Sequence, residues 1–218
     1  TALERTPDGV LHFTNLVLTA PALRLAGTGL RRRDGTFHFE GRGTQASYGP
    51  LTLRLDGQID HPTIDLLLAA PNAAMGLSQV RAHLDPTPRG FAFTAAGGSR
   101  VGPFEAAGEI LLPPRGTGQI AFARIDASGT RATGTLDIVP GGFTGALALS
   151  GGGLSGELLF RPVGEVQRVE AHIDARRARI GGSATVARAH LDLVALLDPA
   201  GASIEASASG GGLRRGKL

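Results

Sequence analysis

The chain has no cysteine and no tryptophan, one tyrosine and one methionine, and Lys217 is its single lysine. Without thiols there is no disulfide scaffold, no cysteine-ligated zinc and no thiol catalysis. Aromatic residues make up 5% of the sequence against 42% hydrophobic residues in all, so apolar burial falls to Leu, Ala, Val and Ile. No apolar run approaches the roughly 20 residues that span a bilayer as a helix. The opening TALERTPDG resembles neither a signal peptide nor a translation start, and GGGLRRGKL ends in mid-pattern. The expectation is an interior fragment of a longer protein, with targeting and anchoring segments outside it. The formal charge is only +3, yet the isoelectric point is about 10.4. The two agree because the basic residues are almost all arginine, which keeps its charge to very high pH. No block is basic enough for a nucleic-acid arm, so no nucleic-acid partner is expected.

What is present is a loose repeat of roughly 50 residues. It begins at residues 16, 66, 122 and 171, and each copy carries an apolar alternating stretch, a small or polar turn, a second stretch and a Gly-flanked third. Tyr48-Gly49-Pro50-Leu51 recurs as Val101-Gly102-Pro103-Phe104. A repeat this short cannot bury its own apolar face, so the copies must stack. The predicted organisation is one elongated β-array over 1–218, with repeats at roughly 1–60, 61–115, 116–165 and 166–218. Its 33 Gly and 13 Pro, about a fifth of 218 residues, are high for a packed globule and low for a disordered tract.

Period-two alternation dominates, cleanest at Leu51-Thr52-Leu53-Arg54-Leu55-Asp56. Turn signals separate the stretches: Pro7-Asp8-Gly9, Arg33-Asp34-Gly35, Asp60-His61-Pro62, Pro88-Arg89-Gly90, Pro113-Pro114-Arg115-Gly116 and Pro140-Gly141-Gly142. Strands of five to eight residues every 10–12 residues predict an all-β fold. Residues 184–198 fit a helical stripe as well as a strand, and the repeat favours the strand.

Little chemistry is written in the motifs. His12, His38, His61, His83, His172 and His190 show no metal-ligand spacing with a carboxylate nearby, and His12, His38 and His172 read as strand residues facing solvent. Asp56, Asp60, Asp65 and Asp174 read as outward polar positions, although paired carboxylates of this kind can line a hydrolytic cleft. Gly151-Gly152-Gly153 and Gly181-Gly182 lack the Lys-Ser/Thr of a phosphate loop and read as bends at strand ends. Ser99, Ser150 and Ser155 lack a nucleophile elbow. The clusters Arg31-Arg32-Arg33, Arg176-Arg177-Ala178-Arg179 and Arg214-Arg215-Gly216-Lys217 read as turns, either solvated or in contact with anionic lipid headgroups or an acidic partner. No catalytic residue, metal site or cofactor is expected.

The segments 51–59 (LTLRLDGQI), 34–41 (DGTFHFEG) and 145–151 (GALALSG) each alternate apolar and other residues around a glycine. With aliphatic strands, few aromatics and no Cys, this texture resembles the periplasmic repeats of the TamB family. More broadly it resembles AsmA-like, bridge-type lipid transfer proteins, and the resemblance covers essentially the whole chain. It implies a strongly curved, U-shaped, taco-like sheet with an apolar groove inside. It also implies a periplasmic bridge, anchored in the inner membrane through a segment outside this chain. Such a bridge would conduct phospholipid, contact an Omp85-type outer-membrane protein through other parts, and support outer-membrane assembly.

The residues expected to line the groove against phospholipid acyl chains are Leu53, Leu55, Leu66, Leu68, Phe91, Phe93, Ile120, Phe122, Leu136, Ile138, Leu147 and Leu149. Thr52, Arg54, Asp65, Thr94, Asp137 and Thr144 are expected to face water. The competing architecture is the closed β-solenoid of an adhesin or autotransporter passenger, with a dry core. Lipid identity, transport direction and strand orientation are not readable from sequence.

Overall fold

The computed structural model of the chain describes residues 2–20, 23–45, 48–71, 76–164, 166–180, 184–198 and 201–215. Gly181-Gly182 and Gly216-Lys217 lie outside them. The described residues form strands and turns, with no helix among them. The strands make an open antiparallel sheet whose strand order is the chain order. The chain divides into two compact units, residues 1–103 and 104–218.

The first unit holds β1 (Ala2–Arg5), β2 (Leu11–Ala20), β3 (Leu23–Arg31), β4 (Thr36–Gln45), β5 (Gly49–Gln58), β6 (His61–Leu68), β7 (Ser78–Thr87) and β8 (Gly90–Ser99). β9 (Gly102–Leu111) crosses the boundary. The second unit continues with β10 (Gln119–Ala127), β11 (Thr130–Val139), β12 (Gly142–Gly151), β13 (Leu154–Val163), β14 (Val166–Ile180), β15 (Ala184–Asp198) and β16 (Gly201–Arg215).

The sequence's turn signals fall between strands, and their chemistry explains why. At Arg33-Asp34-Gly35 the Asp34 carboxylate accepts from the Thr36 backbone N–H at 2.9 Å and from its hydroxyl at 2.7 Å. Gly35 sits at φ 87°, so the Asp closes the turn and the Gly supplies its left-handed residue. Residues 184–198 are strand β15, as the repeat favoured. Leu191 and Leu193 stand opposite Ile173 and Ala171 of β14.

In the first unit the register puts Leu53 opposite Leu66, Leu55 opposite Phe39 and Ile64, and Leu84 opposite Phe93. Residues directly opposite share a face, so one face is Leu, Phe and Ile. The other carries His38, Glu40, Arg54, Asp65 and His83. Leu25 and Phe39 are fully buried, Leu51 nearly so, and Leu16, Leu18, Leu23, Phe37, Leu53, Leu55, Leu66 and Leu68 pack around them. The Phe39 ring lies over Gly41, where an added Cβ would meet it at 2.4 Å. Glycine there lets an aromatic ring cover the pleat of its own strand.

The second unit repeats the division. Leu136 and Leu147 are buried beside Ala132, with Phe122, Ile125, Phe143, Leu149, Leu158 and Phe160 around them. Leu136 stands opposite Gly145, and Leu147 opposite Gly134. At Gly145, φ is 140° and a Cβ would meet the Thr135 carbonyl oxygen at 2.4 Å. A side chain fits there neither sterically nor in backbone conformation. Such glycines stand inside strands, not only at strand ends as the sequence suggested.

Bulges keep the apolar face apolar. Register slips between Phe122 and Ile125 on β10, and between Phe13 and Leu16 on β2. In each case two apolar residues three apart come to the same face, which plain alternation forbids. Asn15 on β2 takes φ 55° at its slip, and Gln79 on β7 takes φ 49° where register shifts between Ser78 and Arg81.

Packing within each unit runs mainly between sequence neighbours, and no strand pair is stacked as a second layer among the described residues. A compact monomer of 22.3 kDa exposes roughly 9,400 Å². This chain exposes 13635 Å².

Candidate functional site

Two surfaces qualify, one on each face of the sheet. Each unit has an apolar face, and the residues expected to line a groove lie on those faces. Leu53 and Leu55 on β5, Leu66 and Leu68 on β6, and Phe91 and Phe93 on β8 share one face of the first unit. Ile120 and Phe122 on β10, Leu136 and Ile138 on β11, and Leu147 and Leu149 on β12 share one face of the second. Leu136 and Leu147 are buried, Ile138 is exposed at 36%, and the other nine are half-buried. The residues most deeply covered in the first unit, Leu25, Phe39 and Leu51, were absent from that expected set. Their period-two spacing marked their face, but depth depends on neighbours that only the register supplies.

Of the positions expected to face water, Arg54, Asp65 and Thr94 are exposed, whereas Thr52, Asp137 and Thr144 are half-buried. Asp137 accepts a hydrogen bond from Gln119 at 2.8 Å. A polar face in a tight antiparallel sheet shields its residues with their cross-strand neighbours.

The polar face is a ladder of ion pairs that the sequence did not announce. His38 Nδ1 meets Asp56 at 2.6 Å, His83 Nδ1 meets Asp65 at 2.6 Å, His172 Nδ1 meets Asp192 at 2.7 Å and His190 Nδ1 meets Asp174 at 2.9 Å. These His–Asp pairs are not found by a sequence reading that looks for metal-ligand spacing. The available signal was spacing: His38–Asp56 and Asp65–His83 are both 18 residues apart, the distance that brings neighbouring strands into register across a hairpin. Arg54 adds a 2.7 Å contact to Asp56, Arg131 one of 2.7 Å to Asp126, and Arg161 and Arg168 both hold Glu170.

These contacts shift the titrations. The hydrogen bond to Asp65 raises the His83 pKa above its usual value, with the Asp85 and Asp65 charges adding to it against a small burial effect. At His190 the Asp174 hydrogen bond raises the pKa most, followed by the Asp192 charge. Asp192 is lowered chiefly by the hydrogen bond from His172. At Asp56 burial pushes upward, but the hydrogen bonds and charges of His38 and Arg54 together win, and the carboxyl is lowered.

The ladder pairs carboxylates with His and Arg side chains across neighbouring strands. Asp56, Asp65 and Asp174 each meet a His ring nitrogen, and Asp60 lies in a turn 3.2 Å from His61. The Ser99 hydroxyl donates to the Gly102 carbonyl at 2.7 Å, closing a turn. No cluster of three or more metal-binding side chains exists among the described residues.

The arginine clusters do not all lie at turns. Arg32 and Arg33 do, but Arg176, Arg177, Ala178 and Arg179 lie within the C-terminal end of β14, and Arg214 and Arg215 end β16.

Fold and surfaces together define a class: an open, one-layer antiparallel sheet, aliphatic on one face and ion-paired on the other. No family model, curated protein or solved structure matches the chain.

Proposed function

We propose that the chain is a lipid-holding segment, whose aliphatic face binds phospholipid acyl chains and conducts them along the sheet. The observation that carries this reading is the half-exposed aliphatic face, continuous from strand to strand within each unit and covered by no second layer among the described residues. Monomeric proteins rarely leave contiguous apolar patches beyond about 300–600 Å² without a function for them. An acyl chain gains about 0.8 kcal/mol per buried CH₂, so such a face holds a lipid without a specific bond. On this reading the sheet curves into a trough, the roughly 50-residue texture is its building period, and the chain performs no catalysis. The resemblance to TamB and AsmA-like proteins extends the proposal to a periplasmic bridge that supports outer-membrane assembly. Its inner-membrane anchor and its Omp85-type contact would lie outside this chain. A closed solenoid is the weaker reading, because its stacked coils pair parallel strands whereas the described pairs are antiparallel.

The test is lipid binding by the purified, folded chain. It should retain phospholipid through purification, or bind a fluorescent fatty acid at more than one per chain. Ile138→Asp, at an already exposed position, should weaken binding at least about tenfold by placing an unpaired charge on the apolar face. Thr52→Asp, opposite Arg42 on the other face, should not. Delipidated folded protein that binds neither ligand, or equal behaviour of the two variants, would remove the proposal.

A further inference from the structure

Across β14 and β15 the register sets Arg176 directly opposite Arg188. Like charges directly opposite in a sheet destabilise it; where the same face sets Arg161 opposite Arg168, the Glu170 carboxylate bridges the two. Arg177 adds a third guanidinium next to them. None of the three has an ion pair with a described carboxylate, and Asp174, which lines the same cleft, is held by His190 at 2.9 Å.

The backbone is unusual at the same level. Arg177 takes φ 51° and Gly212 takes φ 72°, left-handed values inside long strands. The ladder passes over Arg177, Ala187 and Gly212, one residue on each of three adjacent strands. The break exchanges the faces: Ala175 and Ala178, three apart, are both buried, and so is Val186, packed with Ala189 three residues on. A non-glycine residue held in the left-handed region costs of order 1–3 kcal/mol and concentrates at functional sites. At this level lies an open cleft of about 860 Å³ that Gly211 helps to line and whose polar lining is Arg176, Arg177, Arg188, His190, Ser209 and the His190-paired Asp174.

We infer that this cleft binds a phosphate-class oxyanion, either free phosphate or the phosphate of a lipid headgroup. Guanidinium forks bind phosphate oxygens in bidentate pairs, and an anion between Arg176 and Arg188 turns their repulsion into two attractions. Ser209 offers a hydroxyl from β16. The inference stands on the charge pattern and the kink and does not require the acyl-binding reading.

The experiment titrates the purified chain with inorganic phosphate, with phosphatidylglycerol vesicles and with phosphatidylcholine vesicles as the zwitterionic control, at fixed ionic strength. Arg176→Gln and Arg188→Gln should each lower affinity at least tenfold, whereas Arg89→Gln, in the β7–β8 turn of the other unit, should leave it unchanged. Gly211→Ile keeps every arginine and fills the cleft instead: a Cβ at Gly211 meets nothing within 4 Å, so the fold tolerates it and binding should fall. Arg188→Gln should also melt at the same temperature as the parent chain or higher without phosphate, and lose the phosphate-induced rise in Tm. A merely structural arginine would lower Tm. Phosphate binding with these sensitivities supports a free-anion site, and binding only to phosphatidylglycerol vesicles with the same sensitivities supports a headgroup site. Binding to neither, or equal losses in Arg176→Gln and Arg89→Gln, would overturn the inference.

Discussion

The patch on β3–β6 and the patch on β14–β16 cover the same kind of sheet face by opposite means. In the first, large side chains cover one another, and Phe39 and Leu25 reach full burial inside a single layer. In the second the buried residues are Ala175, Ala178 and Val186. β16 is exposed along its described side chains, Ile204 at 57% among them. Burial in a one-layer sheet therefore depends on side chains long enough to fold over their neighbours. Where the chain supplies Ala and Gly instead, the sheet is thin and distorts more readily, and the arginine cleft sits in that thin region.

Four measurements would break or sharpen this contrast. The largest effect should come from Phe39→Ala, which removes a fully buried ring and should cost about 3–5 kcal/mol in a denaturant titration. A loss under about 1 kcal/mol would mean that the first patch is not a true core. Next is Gly145→Val, which forces a β-branched residue to φ 140° against the Thr135 carbonyl. It should cost at least about 1–3 kcal/mol, and unchanged unfolding would show that the strand can shift its register. Third, Ala178→Leu overfills a site with no exposed surface and should cost about 1–3 kcal/mol. If it stabilises instead, the thin patch was underpacked.

The smallest effect is in pH. The raised pKa of His83 and His190 means that each contributes stability in full below about 6.5, the unfolded value, and loses it as pH rises through the higher folded value. Asp56 and Asp192 are lowered, so their contribution is present above about 3.9 and fades as pH falls through the lower folded value. His83→Gln and His190→Gln should therefore differ from the parent chain more at pH 6 than at pH 9. All four side chains are substantially solvated, so the differences should be small and shrink with added salt. Equal differences at both pH values would mean that the pairs contribute packing and not charge.

Much of the fold was legible because a side-chain period of two is a local property. Leu51-Thr52-Leu53-Arg54-Leu55-Asp56 states its faces without reference to any other strand, and Asp34-Gly35 states its turn. The reading failed where a strand departs from strict alternation. Phe122 and Ile125, or Ala175 and Ala178, look like opposite faces in sequence, and only a bulge or a kink brings them to one side. The polar ladder was illegible for a related reason: His38 and Asp56 are strangers until a hairpin fixes which residue stands opposite which.

By itself, then, the sequence determined an all-β chain of amphipathic strands, aliphatic on one side, with its turns at Asp, Pro and Gly. Those features follow from the conformational limits of single residues and from alternation along one strand. The tertiary structure alone decided the antiparallel order, the His–Asp pairs and the meeting of Arg176 with Arg188. Each of these depends on register, which is set by hydrogen bonds between consecutive strands and not by either strand alone.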